Sequence, residues 1–310
     1  MSPGRLLRRA GQVRVIVADT GRRLRAGEFR VRDLVWLARW KWATLRLPKT
    51  VQLFADACDD SLLLQIGDAR FCWHAEYCQT QLDMVWAEVF SPFPPNGHAY
   101  EHLGCVIQPG DWVIDAGACE GFFVRYALAR GANVLAVEPV PRLAECLRKT
   151  FSEGALRGRV TVVNALLGSS TGSAFISLTA ASPISARSTP LRGEPVPVTT
   201  VDELLSTGMV PRVDFIKMDI EGSEPDAMLG ARRTLASLRP RVAVCVYHAH
   251  DHERQIQTFL EEVGVGYETR AKGLTRNGPT LVRQVLHAWG AGRVARDAQC
   301  PAPSSAHSGR

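Results

Sequence analysis

No apolar run in the 310-residue chain reaches the roughly 20 residues that a membrane-spanning helix needs, and the N-terminus lacks the apolar core and cleavage site of a signal peptide. The eight cysteines are scattered and form neither a Cys-x-x-Cys pair nor a zinc-ligand spacing, so no structural zinc site is predicted. These absences lead us to expect a reducing, cytoplasmic setting. What remains is an ordinary globular composition, 46% hydrophobic and 22% charged, with enough apolar material for a full core.

The positive charge of the chain is concentrated at its N-terminus. Residues 1–48 contain twelve arginines and lysines against three acidic residues, a net charge of +9, whereas the whole chain carries only +6. In the second half of this basic leader, apolar residues recur at helical spacing, at Val31, Leu34, Val35, Ala38, Trp42 and Leu45. Our prediction is that this stripe packs against the main domain and leaves the arginines in solvent. The alternative is a helix lying on an anionic membrane surface, which would make the protein peripheral at the membrane.

The rest of the chain divides into three parts. Short apolar runs separated by turn signals predict a small antiparallel β element over 50–75, inside a β/helical extension that spans 49–94. A main domain over 95–289 follows, and a helix is expected to start near His98, with Tyr100 and Glu101 as candidate contacts to a cofactor. The Gly-, Ala-, Pro- and Ser-rich segment 290–310 is predicted to be disordered.

Strands and helices alternate in the main domain, which predicts a mostly parallel α/β sheet covered by helices on both faces. Because the last two predicted strands follow each other closely, we expect seven strands that end in an antiparallel hairpin. Residues 168–198 interrupt the alternation, and segment 179–197 is predicted to be a functional loop that closes over the substrate. The predicted strands are 111–115, 133–138, 160–164, 212–218, 241–247, 265–269 and 280–286, and the predicted helices are 121–130, 141–153, 201–206, 224–237 and 252–263.

The most informative stretch is 111–139, which is typical of a strand, a glycine-rich turn, a helix and a second strand. The turn Asp115-x-Gly117-x-x-x-Gly121 allows a ligand to approach the backbone, and Glu138 is placed to accept hydrogen bonds from a ribose diol. The turn lacks the Gly-x-Gly-x-x-Gly spacing that presses amides onto a pyrophosphate, which argues against a nicotinamide dinucleotide. S-adenosylmethionine fits better, because it carries an ammonium, a sulfonium and a ribose but no phosphate. The alternative is an ordinary βαβ unit whose glycines only make tight turns.

Polar residues at later strand ends are candidates for chemistry, because ligands collect at the carboxyl edge of an open α/β sheet. Asp219 follows the fourth strand, where Lys217 is expected to pair with one of the acids that follow it. His248 ends the fifth strand and is a candidate general base, since histidine has a pKa near working pH. Two alternatives remain: the acids cap the next helix, or a divalent metal is held by Asp219 with His248, His250 and His252.

Five segments resemble, in chain order, the FkbM-type S-adenosylmethionine-dependent O-methyltransferases over about residues 95–270. They are Asp115-Ala-Gly-Ala-Cys-Glu-Gly-Phe-Phe, Val137-Glu-Pro139, Val198-Thr-Thr-Val-Asp202, Asp214-Phe-Ile-Lys-Met-Asp-Ile-Glu-Gly-Ser-Glu224 and Tyr247-His248. The resemblance implies a Rossmann-like class I methyltransferase sheet, S-adenosylmethionine as the methyl donor, and a hydroxyl of a sugar or natural product as the acceptor. The chain departs from the family at Cys119-Glu120, where an Asn-Ile or similar pair is usual. The Glu120 carboxylate would face the methionine end of the cofactor or point into solvent.

We therefore predict an S-adenosylmethionine-dependent O-methyltransferase whose catalytic residues are His248, Asp219 and Lys217, with His248 or Asp219 as the base. Asn164 and Ala165 would line the adenine, and neither a metal nor a nucleic-acid partner is predicted. The alternative is a non-catalytic, methyltransferase-like binding protein that its basic leader tethers to a membrane or a polyanion. The predicted cofactor contacts are Asp115, Gly117, Ala118, Glu120, Gly121, Glu138, Pro139, Asn164, Ala165 and Asp219.

Overall fold

The computed structural model describes residues 16–47, 50–55, 61–77, 81–152, 158–179, 182–189 and 194–290. Its centre is a seven-stranded sheet made of β4 (Trp112–Ala116), β5 (Asn133–Val137), β6 (Val160–Val163), β11 (Phe215–Met218), β12 (Arg241–Cys245), β13 (Tyr267–Asn277) and β14 (Thr280–Gly290). The strand order is β6-β5-β4-β11-β12-β14-β13. Strand β14 runs antiparallel to both of its neighbours, and the other neighbouring strands are parallel. The predicted seven-stranded, mostly parallel α/β sheet is confirmed.

Helices cover both faces of this sheet, because its central strands are apolar on both sides. Successive residues of β4 belong to different apolar clusters: Val113 packs into one and Ile114 into the other, and Val134 and Leu135 of β5 divide in the same way. All four side chains are fully buried. The helices of this part are α4 (Phe122–Ala129), α5 (Pro141–Phe151), α6 (Val201–Ser206), α7 (Glu224–Leu229), α8 (Arg232–Leu238) and α9 (His252–Val263).

The N-terminal extension shares a core with the main sheet. Strands β1 (Gln52–Ala55), β2 (Ser61–Ile66) and β3 (Ala69–His74) form the small antiparallel sheet expected there, and α3 (Leu82–Phe90) follows it. Strand β3 packs on α5, and α3 packs on α4. The rings of Phe71 and Phe122 meet edge to face with their centroids 5.0 Å apart. The extension therefore forms a wall of the main domain instead of standing apart from it.

The basic leader is helical where the structure describes it, in α1 (16–25) and α2 (Val31–Thr44). The prediction that the spaced apolar stripe packs against the main domain holds for Leu34 and is wrong for its other five residues. Val31 and Trp42 are 69% and 57% exposed, and the inward face of α2 consists of Leu34, Leu37 and Trp40. None of the described helices is long and apolar enough to cross a membrane. Residues 1–15 and Pro48 lie outside the described residues.

Two predicted helices differ in the structure. The segment after His98 is not helical; residues 98–111 form turns with one short bridge between His102 and Cys105. The predicted helix over 224–237 is two helices, α7 and α8. Its break at Gly230 follows from Asp202, whose backbone N–H donates to the Gly230 carbonyl and whose carboxylate accepts from the backbone N–H of Thr234. Asp202 therefore caps the second helix.

The segment predicted as a loop over 179–197 contains strands. Strands β7 (Leu166–Leu167), β8 (Gly172–Thr179), β9 (Ser182–Thr189) and β10 (Glu194–Thr199) form a second sheet in the order β7-β10-β8-β9. Backbone pairing of β8 with β9 and β10 accounts for the difference, because the Ser- and Pro-rich composition had suggested an irregular segment. Its closure over a substrate stays a prediction. Residues 180–181 and 190–193, and the predicted disordered tail after Gly290, lie outside the described residues.

Candidate active site

A cavity of about 300 Å³ lies at the carboxyl edge of the main sheet. Its floor is made by the residues that follow β4, β5, β6, β11 and β12, the edge at which ligands bind in open α/β sheets. A second part of its lining comes from α3 of the N-terminal extension and from the segment just after the extension, which carries His98 and Tyr100. Two parts of the chain that are far apart in sequence therefore enclose one site.

The turn after β4 has the glycine-requiring conformation that the sequence predicts, and packing within the chain accounts for it. Gly117, Cys119 and Gly121 have positive φ angles of 75°, 42° and 82°. A Cβ at Gly117 would lie 2.0 Å from the backbone oxygen of Asp219, and a Cβ at Gly121 would lie 2.9 Å from the Leu147 and Phe151 side chains. Gly117 lines the cavity, whereas Gly121 does not. Chain packing thus requires these glycines, in addition to any approach of a ligand.

Lys217 pairs with Asp115 and not, as predicted, with an acid that follows its own strand. The two residues are opposite each other in neighbouring parallel strands, and the Lys217 Nζ lies 2.9 Å from Asp115 Oδ1 with both side chains buried. The ammonium also donates to the Gly117 carbonyl at 2.7 Å. Burial lowers the pKa of Lys217, but the attraction of Asp115 and Asp219 outweighs it and leaves the pKa raised. Lys217 therefore stays charged and holds the turn, and Asp115 lies behind the cavity wall.

Two buried carboxylates face the cavity at the end of the turn. Glu138 accepts the backbone N–H groups of Cys119 and Val140, both at 2.9 Å. The Oε1 atom of Glu120 is buried without a hydrogen-bond partner among the described residues. Burial raises the pKa of each carboxyl to about 7. A ligand that brings positive charge or hydrogen-bond donors would relieve the cost of burying them.

Of the two residues predicted to contact the adenine, one lines the cavity and the other does not. Ala165 lines the cavity, as do Ala118 and Pro139, whereas Asn164 does not. The Asn164 amide donates to the backbone oxygens of Glu138 and Pro139 at 2.9 Å each. Asn164 therefore fixes the loop that presents Glu138, and its amide nitrogen makes both of these hydrogen bonds.

Asp219 is the centre of a polar cluster on the other side of the cavity. Its carboxylate accepts the Tyr100 hydroxyl at 2.9 Å and the Tyr247 hydroxyl at 3.3 Å. The Nε2 atoms of His98 and His248 lie 3.8 and 3.6 Å from its two oxygens. Burial raises the pKa of Asp219, but these two imidazoles and Lys217 outweigh it and lower the pKa to about 2. Asp219 is thus a permanently ionised acceptor and a weak base.

His248 is placed behind Asp219 and does not line the cavity. Its Nδ1 lies 2.8 Å from the fully buried Glu224 carboxylate. Burial lowers the pKa of His248, but the hydrogen bond to Glu224 and the charge of Asp219 raise it to about 9. With that pKa the ring is mainly an imidazolium at neutral pH, which argues against its predicted role as base; that role stays a prediction. The metal alternative stays open with a different set of ligands. His252 turns to Glu224 and His250 lies exposed beside Thr280, but ligand atoms of Asp219, Glu224 and His248 all lie within 4.8 Å of one another.

Two lining residues are not among the predicted ones: Glu88 of α3 and His98, which follows the N-terminal extension. Burial raises the pKa of Glu88 above its ordinary value. One feature of the sequence could have indicated Glu88: it is the only acid in the second half of a mostly apolar helix. Of the two weaker candidates, Tyr100 lines the cavity, whereas Glu101 accepts the Tyr126 hydroxyl and pairs with Arg130 elsewhere.

A sequence model described as the methyltransferase FkbM domain matches residues 115–270, just over half of the chain. The chain belongs to the FkbM methyltransferase family. No curated protein sequence matches it. In this FkbM-family chain the matched segment contains the turn, Glu138, Asp219 and His248, whereas α3 and His98 precede it.

The fold is similar to several solved methyltransferases. One is the FkbM methyltransferase of Methylobacillus flagellatus KT, with 18% identity, a TM-score of 0.45 and 69% of this chain covered. The match covers 56% of that protein, so this chain spans just over half of its length. Others are precorrin-6y C5,15-methyltransferase of Geobacter metallireducens GS-15 (16% identity, TM-score 0.38, 61% and 83% of the two chains) and M. jannaschii TYW2 in complex with AdoMet (11%, 0.40, 77% and 92%). The family assignment rests on the sequence match alone.

Proposed function

We propose that the protein binds S-adenosylmethionine and transfers its methyl group to a hydroxyl oxygen of a sugar or natural-product acceptor. The observation that carries this proposal is the acidic cavity, in which one buried carboxylate oxygen of Glu120 has no hydrogen-bond partner in the part of the chain that the structure describes. Lys217 is already neutralised by Asp115, so the cavity favours a cationic ligand over a phosphate. Its acidic lining residues are Glu88, Glu120, Glu138, Asp219 and Glu221.

The donor side of the cavity suits S-adenosylmethionine. Glu120 would face its positive charge, Glu138 would accept from its ribose hydroxyls, and Ala165 with Leu166 would supply an apolar surface for its adenine. When bound, S-adenosylmethionine supplies an electrophilic methyl group. The turn after β4 is held by Lys217 before any ligand arrives, so little reorganisation is needed on binding.

The acceptor side needs a group that takes the hydroxyl proton, and Glu88 meets the requirements best. It lines the cavity from α3, apart from the strand-end residues assigned to the donor, and its raised pKa makes it a better proton acceptor than Asp219. Asp219 would orient the acceptor through Tyr100 and Tyr247, which already donate to it. Positioning of this kind supplies a large part of the rate of a transfer reaction.

The first test is calorimetric titration of the full chain with S-adenosylmethionine and, in parallel, with NAD. We expect micromolar binding of the first and none of the second. Binding of NAD would contradict the proposed cofactor. Binding of neither would favour the non-catalytic binding protein, in which the fold is retained and the cavity has no donor.

The second test uses a panel of glycosides and phenolic natural products with donor labelled by ¹³C in its methyl group. A product whose labelled carbon has the NMR shift of a methoxy group supports the proposal, and labelled N-methyl or S-methyl products contradict it. If Glu88 is the base, kcat should rise with pH as its carboxyl loses its proton. Glu88→Gln should lower kcat and abolish this rise, while the affinity for S-adenosylmethionine is retained. Glu261→Gln, which changes an exposed acid on α9, is the matched control.

A further inference from the structure

Helix α2 carries a stripe of exposed apolar side chains along its outer side. Val31, Val35, Trp42 and Leu45 are 69%, 49%, 57% and 85% exposed. With Ala38 they follow the spacing i, i+4, i+7, i+11 and i+14, which places them on one line of an α-helix. We call these five residues the outer stripe. Contiguous exposed apolar residues on a folded protein mark a surface that contacts something else.

The outer stripe is separate from the face that holds α2 on the protein. That inner face consists of Trp40, Leu34 and Leu37, and the last two pack with Leu274 of β13. Asp33, the only acid of α2, also faces inward, where it lies 3.0 Å from Arg283. The helix is therefore already fixed by one apolar face, and the stripe on its other side is not required for the fold.

Cations border the outer stripe on both sides. Arg32, Arg39 and Arg46 recur every seven residues along one border, and Lys41 lies on the other; all four are exposed. The Arg46 guanidinium lies 3.7 Å from the centroid of the Trp42 ring. Arginine and lysine in this position extend their charges to phosphate groups while their stems cover apolar surface.

We propose that the outer stripe of α2 docks on an anionic phospholipid bilayer, with the helix lying in the plane of the headgroups. An apolar line bordered by Arg and Lys, with a tryptophan among its members, is the composition of interfacial helices. The charges match anionic lipid, which attracts Lys and Arg near the surface. A nucleic acid would require the cations at the centre of the surface, whereas here the centre is apolar.

Docking would bring the bilayer close to the acceptor side of the cavity. Gln284 lines both the cavity and a small pocket beneath α2, whose other walls include Trp36 and Leu37. The positive charge of Lys41 also acts on Glu88, where it partly offsets the rise in pKa that burial causes. A helix that docks by its outer stripe would lie between the bilayer and the acceptor wall and would hold the two one helix diameter (~10 Å) apart. The docking proposal does not depend on the reaction proposed above.

The test is flotation of the full chain with phosphatidylcholine vesicles that contain, or lack, phosphatidylserine. We expect binding only with phosphatidylserine, and weakening by salt. The double variant Trp42→Ala/Leu45→Ala should lower the affinity for these vesicles at least about tenfold. Arg39→Glu/Arg46→Glu should lower the same affinity by at least about fivefold for each positive charge removed. The matched controls are Met209→Ala/Leu229→Ala, two positions each 45% exposed, and Arg254→Glu.

The following results would support or overturn the docking of the outer stripe on an anionic bilayer. Equal binding to neutral vesicles, or full binding by the Trp42→Ala/Leu45→Ala variant, overturns the proposal. A concentration-dependent dimer in analytical ultracentrifugation that this variant abolishes would also overturn it, in favour of a second copy as the occupant. Both double variants of α2 should keep the wild-type affinity for S-adenosylmethionine, because none of the four substituted residues lines the cavity. A loss of vesicle binding with that affinity intact supports docking, whatever acceptor the enzyme uses.

Discussion

The sharpest prediction concerns the pH dependence of ligand binding and its change in Glu120→Gln. Glu120 and Glu138 line the cavity, and burial raises the pKa of each from 4.5 to about 7. Below pH 7 both are mainly neutral in the free protein. A ligand that brings positive charge favours their ionised forms, so binding releases protons and becomes stronger as the pH rises.

The size of the effect follows from the two pKa values. With a pKa near 7, each carboxyl is about one-tenth ionised at about pH 6 and about nine-tenths ionised at about pH 8. If both must be ionised in the complex, the affinity for S-adenosylmethionine rises by about 100-fold between these two pH values. In Glu120→Gln only Glu138 still titrates, and the rise falls to about tenfold.

The assay is isothermal titration of S-adenosylmethionine into wild type, Glu120→Gln and the control Glu261→Gln at several pH values between these limits. Buffers with different ionisation enthalpies will also report the number of protons released. An affinity that does not change with pH, or a Glu120→Gln variant that keeps the wild-type slope, would refute the assignment of Glu120 to the cationic end of the ligand.

Three further predictions concern the buried groups that hold the site. Lys217→Met leaves Asp115 as an unpaired buried charge and should lower the free energy of unfolding by about 3–5 kcal/mol, and adding Asp115→Asn should restore part of it in urea denaturation. Gly117→Ala places a Cβ 2.0 Å from the Asp219 backbone oxygen and should abolish S-adenosylmethionine binding in calorimetry. The raised pKa of His248, about 9, stabilises the fold below pH 6.5, and this stabilisation is lost as the pH rises through 9. His248→Gln should therefore be destabilised in urea at pH 7, and a variant as stable as wild type there would contradict the predicted ion pair.

Much of the fold could be predicted from local patterns. The alternation of short apolar runs with helices predicted the seven strands, because a parallel sheet buries both faces of each strand. Asp115, Glu138 and Asp219 were correctly placed at the carboxyl edge for the same reason. The break at Gly230 was missed, since it depends on Asp202, which is distant in sequence and caps α8 from another helix.

The roles of the polar residues were harder to predict, because they depend on partners from other strands. Lys217 was expected to pair with an acid that follows it, but the register of β4 and β11 puts Asp115 directly opposite. His248 was taken for a base because free histidine titrates near neutrality. Its contact with Glu224 argues against that role, and only the fold brings the two side chains to 2.8 Å.

The division of the chain around the cavity has a consequence for specificity. The segment that matches the FkbM family supplies the turn, Glu138 and Asp219, which are the residues proposed to hold the donor and orient the acceptor. The chain before it supplies Glu88 and His98, together with the outer stripe of α2. In this chain the proposed donor site and the acceptor wall thus come largely from different segments, so the acceptor wall can be changed without changing the donor site. If this is right, substitutions in α3 will alter which of the proposed acceptors is methylated in the labelled-donor assay and will leave the calorimetric affinity for S-adenosylmethionine unchanged.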